Sequence, residues 1–138
     1  MRFLQKVKDG GPKSNVDAYV LIEIKSLFSI MLLKFNEGSR EEYHTHAFNA
    51  VTIPLSGSLV ELELTRHSRP NMYEYQNFRI KKTPRTLFHK VVAMKDSWAL
   101  TFRGPWEPFW KEYSPKTGKT IEFAHGRKVL AKWVGKYL

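Results

Sequence analysis

His44 and His46 stand one residue apart in a segment that runs from Gly38 to Gly57. On a strand, residues i and i+2 project to the same face, so both imidazoles enter one space. On a helix they would diverge by about 200°. A Gly-containing turn before the pair and Pro54-Leu55-Ser56-Gly57 after it favour the strand. Two imidazoles on one strand face can hold two cis positions of a metal ion, with a third ligand arriving from elsewhere. Two histidines alone are equally an ordinary polar feature, so the chemistry depends on a third. His89 supplies one, on a later strand candidate at residues 87–93 that a rolled-up barrel can bring across the interior.

The elements that would position these residues are short and numerous. Strand candidates lie at residues 1–7, 18–25, 27–35, 43–48, 50–55, 58–65, 73–80, 87–93 and 97–103, separated by turns such as Asp9-Gly10-Gly11-Pro12, Asn36-Glu37-Gly38 and Lys82-Thr83-Pro84. About ten short strands with turns between them indicate an all-β barrel or sandwich. In residues 58–65 the alternation puts Glu61 and Glu63 on one face, read as solvated, and Val60, Leu62 and Leu64 on the other. The tail differs: Val129, Leu130, Trp133, Val134, Tyr137 and Leu138 recur at helical spacing, so a short C-terminal helix is expected.

At 138 residues the chain is expected to form one domain, with N-terminal strands at 1–35, a barrel core at 36–103 and a C-terminal extension at 104–138. Cysteine is absent, which excludes disulfides, thiolate ligands and a cysteine nucleophile. Residues 1–8 are charged throughout, without the apolar run of a secretory leader, and no apolar stretch approaches the ~20 residues that span a bilayer. A cytoplasmic location without membrane contact is therefore expected. The 23 Lys and Arg against 13 Asp and Glu give a formal charge of +10, which favours anionic partners. The basic residues are dispersed and no nucleic-acid motif accompanies them, so nucleic acid is not the expected partner.

Pro84 and His89 also fall into a pattern with the first motif. Gly38, His44, His46 and Gly57 match the spacing of the first cupin motif, and Pro84 and His89 that of the second. The chain resembles the cupin superfamily over residues 27–103. It is similar to small uncharacterised single-domain cupins of bacterial and phage genomes in the segments at 23–30, 44–49 and 102–106. The resemblance implies a double-stranded β-helix, or jelly-roll barrel, with His44, His46 and His89 as metal ligands. Three positions depart from the motifs: Ala50 stands at the glutamate, Thr86 at a glycine and Ala93 at the asparagine. Without the glutamate the ligand set is three neutral histidines, as in some thiol dioxygenases among the cupins, where an anionic substrate supplies the missing charge.

The expected cofactor is a divalent metal, Fe(II) first, with Zn, Mn or Ni as alternatives. The expected function is a metal-dependent, oxygenase-like enzyme acting on a small anionic molecule. The alternatives are a non-catalytic or metal-free cupin that binds a sugar or nucleotide and, behind it, a basic accessory protein for nucleic acid. Tyr43, Asn49, Thr52 and Arg103 are candidates for substrate contact, Arg103 as a clamp for a carboxylate or phosphate. His67 and His125 read as surface residues, and Trp98, Trp106, Phe109 and Trp110 as core or interface. Cupins commonly pair N-terminal strands, which implies a homodimer through residues 1–35, with 106–110 as a second contact.

Overall fold

The computed structural model describes residues 1–10, 13–39, 42–64, 70–124 and 128–135. Among the described residues twelve strands follow one another: β1 (Arg2–Lys8), β2 (Val16–Ile24), β3 (Phe28–Phe35), β4 (Gly38–Ser39), β5 (Tyr43–His44), β6 (Ala50–Glu63), β7 (Asn71–Glu74), β8 (Lys81–Thr83), β9 (His89–Arg103), β10 (Phe109–Ser114), β11 (Lys119–Ala124) and β12 (Lys128–Val134). All pairings are antiparallel, in the order β1-β2-β3-β9-β5-β10-β11-β12, with β4 on β9 and with β6 joining β7, β8 and β9. The all-β expectation holds. His67 and His125 lie outside the described residues.

The long strand β9 organises the sheet. Its second half pairs with β3 on one side, from Ser29↔Arg103 to Phe35↔Ser97, and with the first half of β6 on the other, from Ala50↔Arg103 to Pro54↔Ala99. Its first half pairs with the end of β6, up to Glu63↔His89, and with β5 at His44↔His89. The inward faces of β2, β3, β6 and β9 meet in a core of Val16, Val20, Met31, Leu33, Leu59 and Ala99, among others.

β6 bends at Ser56-Gly57-Ser58, where its register against β9 shifts three times. The bend inverts which residues point inward. Ala50, Thr52 and Pro54 are buried before it, Leu59 and Glu61 after it. Strand alternation has a period of two, so an irregular insertion at a bulge exchanges the faces. The assignment of Glu61 to a solvated face is thereby corrected: it has no exposed surface. Leu62 and Leu64, on the opposite face, pack instead against a second cluster of Tyr43, Phe88 and Tyr113.

The C-terminal helix is also corrected. Residues 128–134 form β12, paired with β11 from Lys119↔Val134 to Ala124↔Lys128. Val129, Leu130 and Val134 are exposed, so the apolar repeat buries no common helical face. β-branched and aromatic residues suit an edge strand, and β11 offers the backbone partners. Tyr137 and Leu138 lie outside the described residues.

At the other end of the sheet, β1 is an edge strand with Phe3 and Leu4 exposed, and Leu27 and Phe28 are exposed in the same N-terminal region. We propose that residues 1–35 associate with a second copy, which would cover this apolar edge. Light scattering at micromolar concentrations should give twice the chain mass, and a monomer mass would contradict the proposal.

Gly57 has φ of +94°, and a Cβ there would lie 2.1 Å from Ser97 Oγ and 2.6 Å from Ser97 Cα. Ser97 Oγ itself binds the Ser58 amide at 2.9 Å and donates to the Lys95 carbonyl at 2.8 Å, pinning the bend. Gly57→Ala should cost more than about 2 kcal/mol in urea unfolding, because it combines left-handed strain with backbone overlap.

Candidate metal centre

Three separate constraints bring the histidines together. His44 sits on β5 directly opposite His89 on β9. Beyond β5 the chain stays extended because the Thr45 amide donates to the Lys111 carbonyl and the Lys111 amide donates to Thr45 Oγ1, both at 2.8 Å. His46 therefore falls on the face of His44, and the two rings are 5.0 Å apart. His89 stands 4.9 Å from the ring of His44 and 4.8 Å from that of His46. One nitrogen from each ring lies within 4.8 Å of the others.

Hydrogen bonds set which nitrogen faces the centre. The Nδ1–H of His89 donates to Glu61 Oε1 in a short contact, which leaves the lone pair on Nε2. His44 Nδ1 lies 3.3 Å from the Glu42 carbonyl, which favours the same tautomer. Nε2 of His46 and Nε2 of His89 are 2.7 Å apart. Two lone pairs do not face each other at that distance unless a proton or a cation lies between them. Two imidazoles in cis positions on an ion at ~2.1 Å would have nitrogens about 3 Å apart. The donor set, the spacing and the carboxylate-to-histidine hydrogen bond all fit a divalent transition metal.

Glu61 is the site residue that strand alternation alone misplaces. Its carboxylate receives His89 Nδ1–H and the Tyr75 hydroxyl, the latter at 3.1 Å, and Lys81 Nζ lies 3.2 Å from its second oxygen. Lys81 also reaches Glu63 at 3.1 Å. Burial pushes the Glu61 carboxyl up, but the hydrogen bonds from His89 and Glu63 and the charge of Lys81 outweigh it and hold the group down to about 2. The same environment raises Glu63, through its hydrogen bond with Glu61 first and burial second. Burial, followed by the Glu61 charge, raises Tyr75 well above the usual phenol range. A carboxylate in this position orients the His89 ring and increases its basicity as a ligand. The sequence signal for it is Gly57, whose bulge reverses the face on which Glu61 lies.

The histidines line a cavity of about 360 Å³. Thr52 and Arg103 line it too, while Tyr43 and Asn49 do not. Tyr43 points the other way along β5, into the cluster with Phe88 and Tyr113. Asn49 is exposed and uses its side-chain oxygen to accept the Arg85 amide at 2.8 Å. Arg103 is buried, not a surface residue: its Nη1 and Nη2 donate to the two oxygens of Asp9 at 3.1 and 2.7 Å. Trp106 and Trp110 stand in the cavity wall, with Phe48 packed on Trp106 at 5.1 Å. Trp98 stacks on Tyr19 at 5.7 Å and Phe109 is exposed.

No protein-family model and no curated protein sequence matches the chain. Solved structures do match in shape. A sugar phosphate isomerase of the cupin superfamily from Silicibacter pomeroyi aligns over 98% of this chain and 92% of its own, with 13% identity and a TM-score of 0.61. A cupin superfamily protein from Desulfitobacterium hafniense aligns over 69% and 83%, with 15% identity and a TM-score of 0.54. The Fe(II) form of HppE aligns over 72% of this chain and 55% of its own, with 11% identity and a TM-score of 0.57. These likenesses show the cupin fold.

Removing the Glu61 carboxylate would leave His89 without its buried partner and Lys81 with Glu63 alone. In metal-free protein, Glu61→Ala should cost about 3 kcal/mol in urea unfolding, and Glu61→Gln, which keeps an acceptor for His89, clearly less.

Proposed function

We propose that this cupin-fold chain is a metal-dependent enzyme that holds one divalent ion on His44, His46 and His89 and turns over a small anionic molecule. The observation that carries the reading is the convergence of the three rings in the wall of one cavity, with Glu61 holding His89 through its Nδ1. Three neutral ligands leave coordination positions for substrate and co-substrate. Fe(II) oxygenase chemistry is the first reading for such a ligand set, and a likeness in fold to a structure with Fe(II), that of HppE, supports iron as the metal. An ion held here would supply Lewis acidity and, if iron, a redox centre. The chain's own part is to orient the ligands through Glu61 and the Glu42 carbonyl, and to exclude water with the aromatic walls.

A second reading rests on the cavity itself: its walls could hold a small ligand without any metal, as a binding module. The two readings part on metal content. Protein purified without a histidine tag and reconstituted with Fe(II), Mn(II), Ni(II) or Zn(II) should carry one ion per chain by elemental analysis. His89→Ala should lose that ion together with oxygen uptake in a panel of small acids and thiols, because two neutral ligands hold a labile ion poorly. Wild-type protein that retains none of these metals would overturn the enzyme reading in favour of the binding module.

A further inference from the structure

Among the described residues, three charged side chains besides the histidines line the cavity: Asp9, Lys25 and Arg103. Asp9 and Arg103 pair through both carboxylate oxygens, so their charges cancel. Lys25 differs. It lies just past the end of β2, it is exposed, and it has no ion-pair partner among the described residues. It is the one uncompensated lysine or arginine that those residues bring to the cavity lining.

Backbone hydrogen bonds hold this lysine against an aromatic lane that leads to the triad. The Trp106 amide donates to the Lys25 carbonyl at 2.8 Å, while the amides of Gly104 and Glu107 donate to the carbonyls of Asn49 and Ala47 at 2.9 and 2.6 Å. Trp106 is thereby clamped between the turn after β2 and the segment that carries His46. Lys25 Nζ stands 4.8 Å over the Trp106 ring, Trp106 packs on Phe48 at 5.1 Å, and Phe48 meets His46 edge-on at 4.9 Å. An ammonium over a ring keeps donors for an anion, since it has three. Leu33, Phe35, Val91 and Trp110 add apolar wall. Hydroxyls in the lining already hold partners inside the protein: Tyr75 donates to Glu61, Thr52 and Thr101 face each other at 3.3 Å, and Thr45 accepts the Lys111 amide. A polyhydroxylated ligand would leave most of its hydroxyls unmatched here, which is costly.

We propose that Lys25 recognises the anionic group of the ligand at the cavity mouth, and that an apolar body lies along Trp106 and Phe48 between that group and the triad. This deepens the enzyme reading and rests on the cavity being the substrate site. The charged end of the molecule stays at Lys25, and the end that reaches the histidines is the one that reacts.

The test is titration calorimetry with 4-phenylbutanoate, its neutral amide and glucose 6-phosphate, on metal-stripped and Zn(II)-loaded protein. At low salt the acid should bind metal-stripped protein roughly three- to fivefold more tightly than the amide, and added salt should shrink that preference because the lysine is exposed. Lys25→Gln should erase the preference with amide affinity unchanged, and Lys25→Glu should reverse it. Lys95→Gln removes an exposed lysine outside the cavity lining and should leave the preference intact, which separates Lys25 from the overall charge of +10. A preference that survives Lys25→Gln, one that appears only with Zn(II), tighter binding of glucose 6-phosphate, or no binding of the acid at all would overturn the proposal. Lys25-dependent binding by a protein that takes up no metal would remove the enzyme reading alone, and metal uptake without that dependence would remove this inference alone.

Discussion

A carboxylate with no exposed surface must be matched by donors, and the matching of Glu61 sets the shape of the site. An unpaired charge at that depth would cost several kcal/mol, so His89, Tyr75 and Lys81 have to converge on it from three strands or loops. The convergence decides the His89 tautomer and fixes its ring, and thereby places Nε2 opposite the nitrogens of the β5 segment. The bend at Gly57 is the backbone condition for this arrangement. Without the left-handed residue and its register shifts, Glu61 would point to the outer face and Val60 or Leu62 inward.

The charge pattern of the cavity follows from the same economy of positions. The cupin motif places a glutamate where this chain has Ala50, and its cross-strand neighbour is a buried arginine. A carboxylate at position 50 would stand across the strand pair from a guanidinium that Asp9 already neutralises. With alanine there, Glu61 supplies the carboxylate bonded to His89, and Arg103 is paired with Asp9.

Much of this is legible in the amino-acid sequence, for reasons that can be named. Turn residues and β-rich runs mark the strands, and the fixed period of two puts His44 and His46 on one face by spacing alone. His89 requires a resemblance, because nothing local tells which later strand returns to the same cavity. The faces of β6 are misread where alternation passes through Ser56-Gly57-Ser58, since a pattern read by parity does not register a bulge. The tail is misread because apolar pairs four residues apart suit a helix and a twisted edge strand equally, and only the presence of β11 as a partner separates them. Tyr43 neighbours His44 in sequence and for that very reason faces away from it. Arg103 reads as a clamp, but its burial and its bond to Asp9 depend on a contact between distant segments that no local pattern contains.

The central claim is that His44, His46 and His89 together form a metal site. X-ray absorption at the metal edge of protein reconstituted with one equivalent of Fe(II) or Zn(II) addresses it directly. Three imidazole nitrogens should surround the metal at about 2.0–2.2 Å, with the remaining positions filled by light atoms from solvent. One imidazole contribution should disappear in His44→Ala protein. A first shell of oxygen alone, unchanged by that substitution, would contradict it.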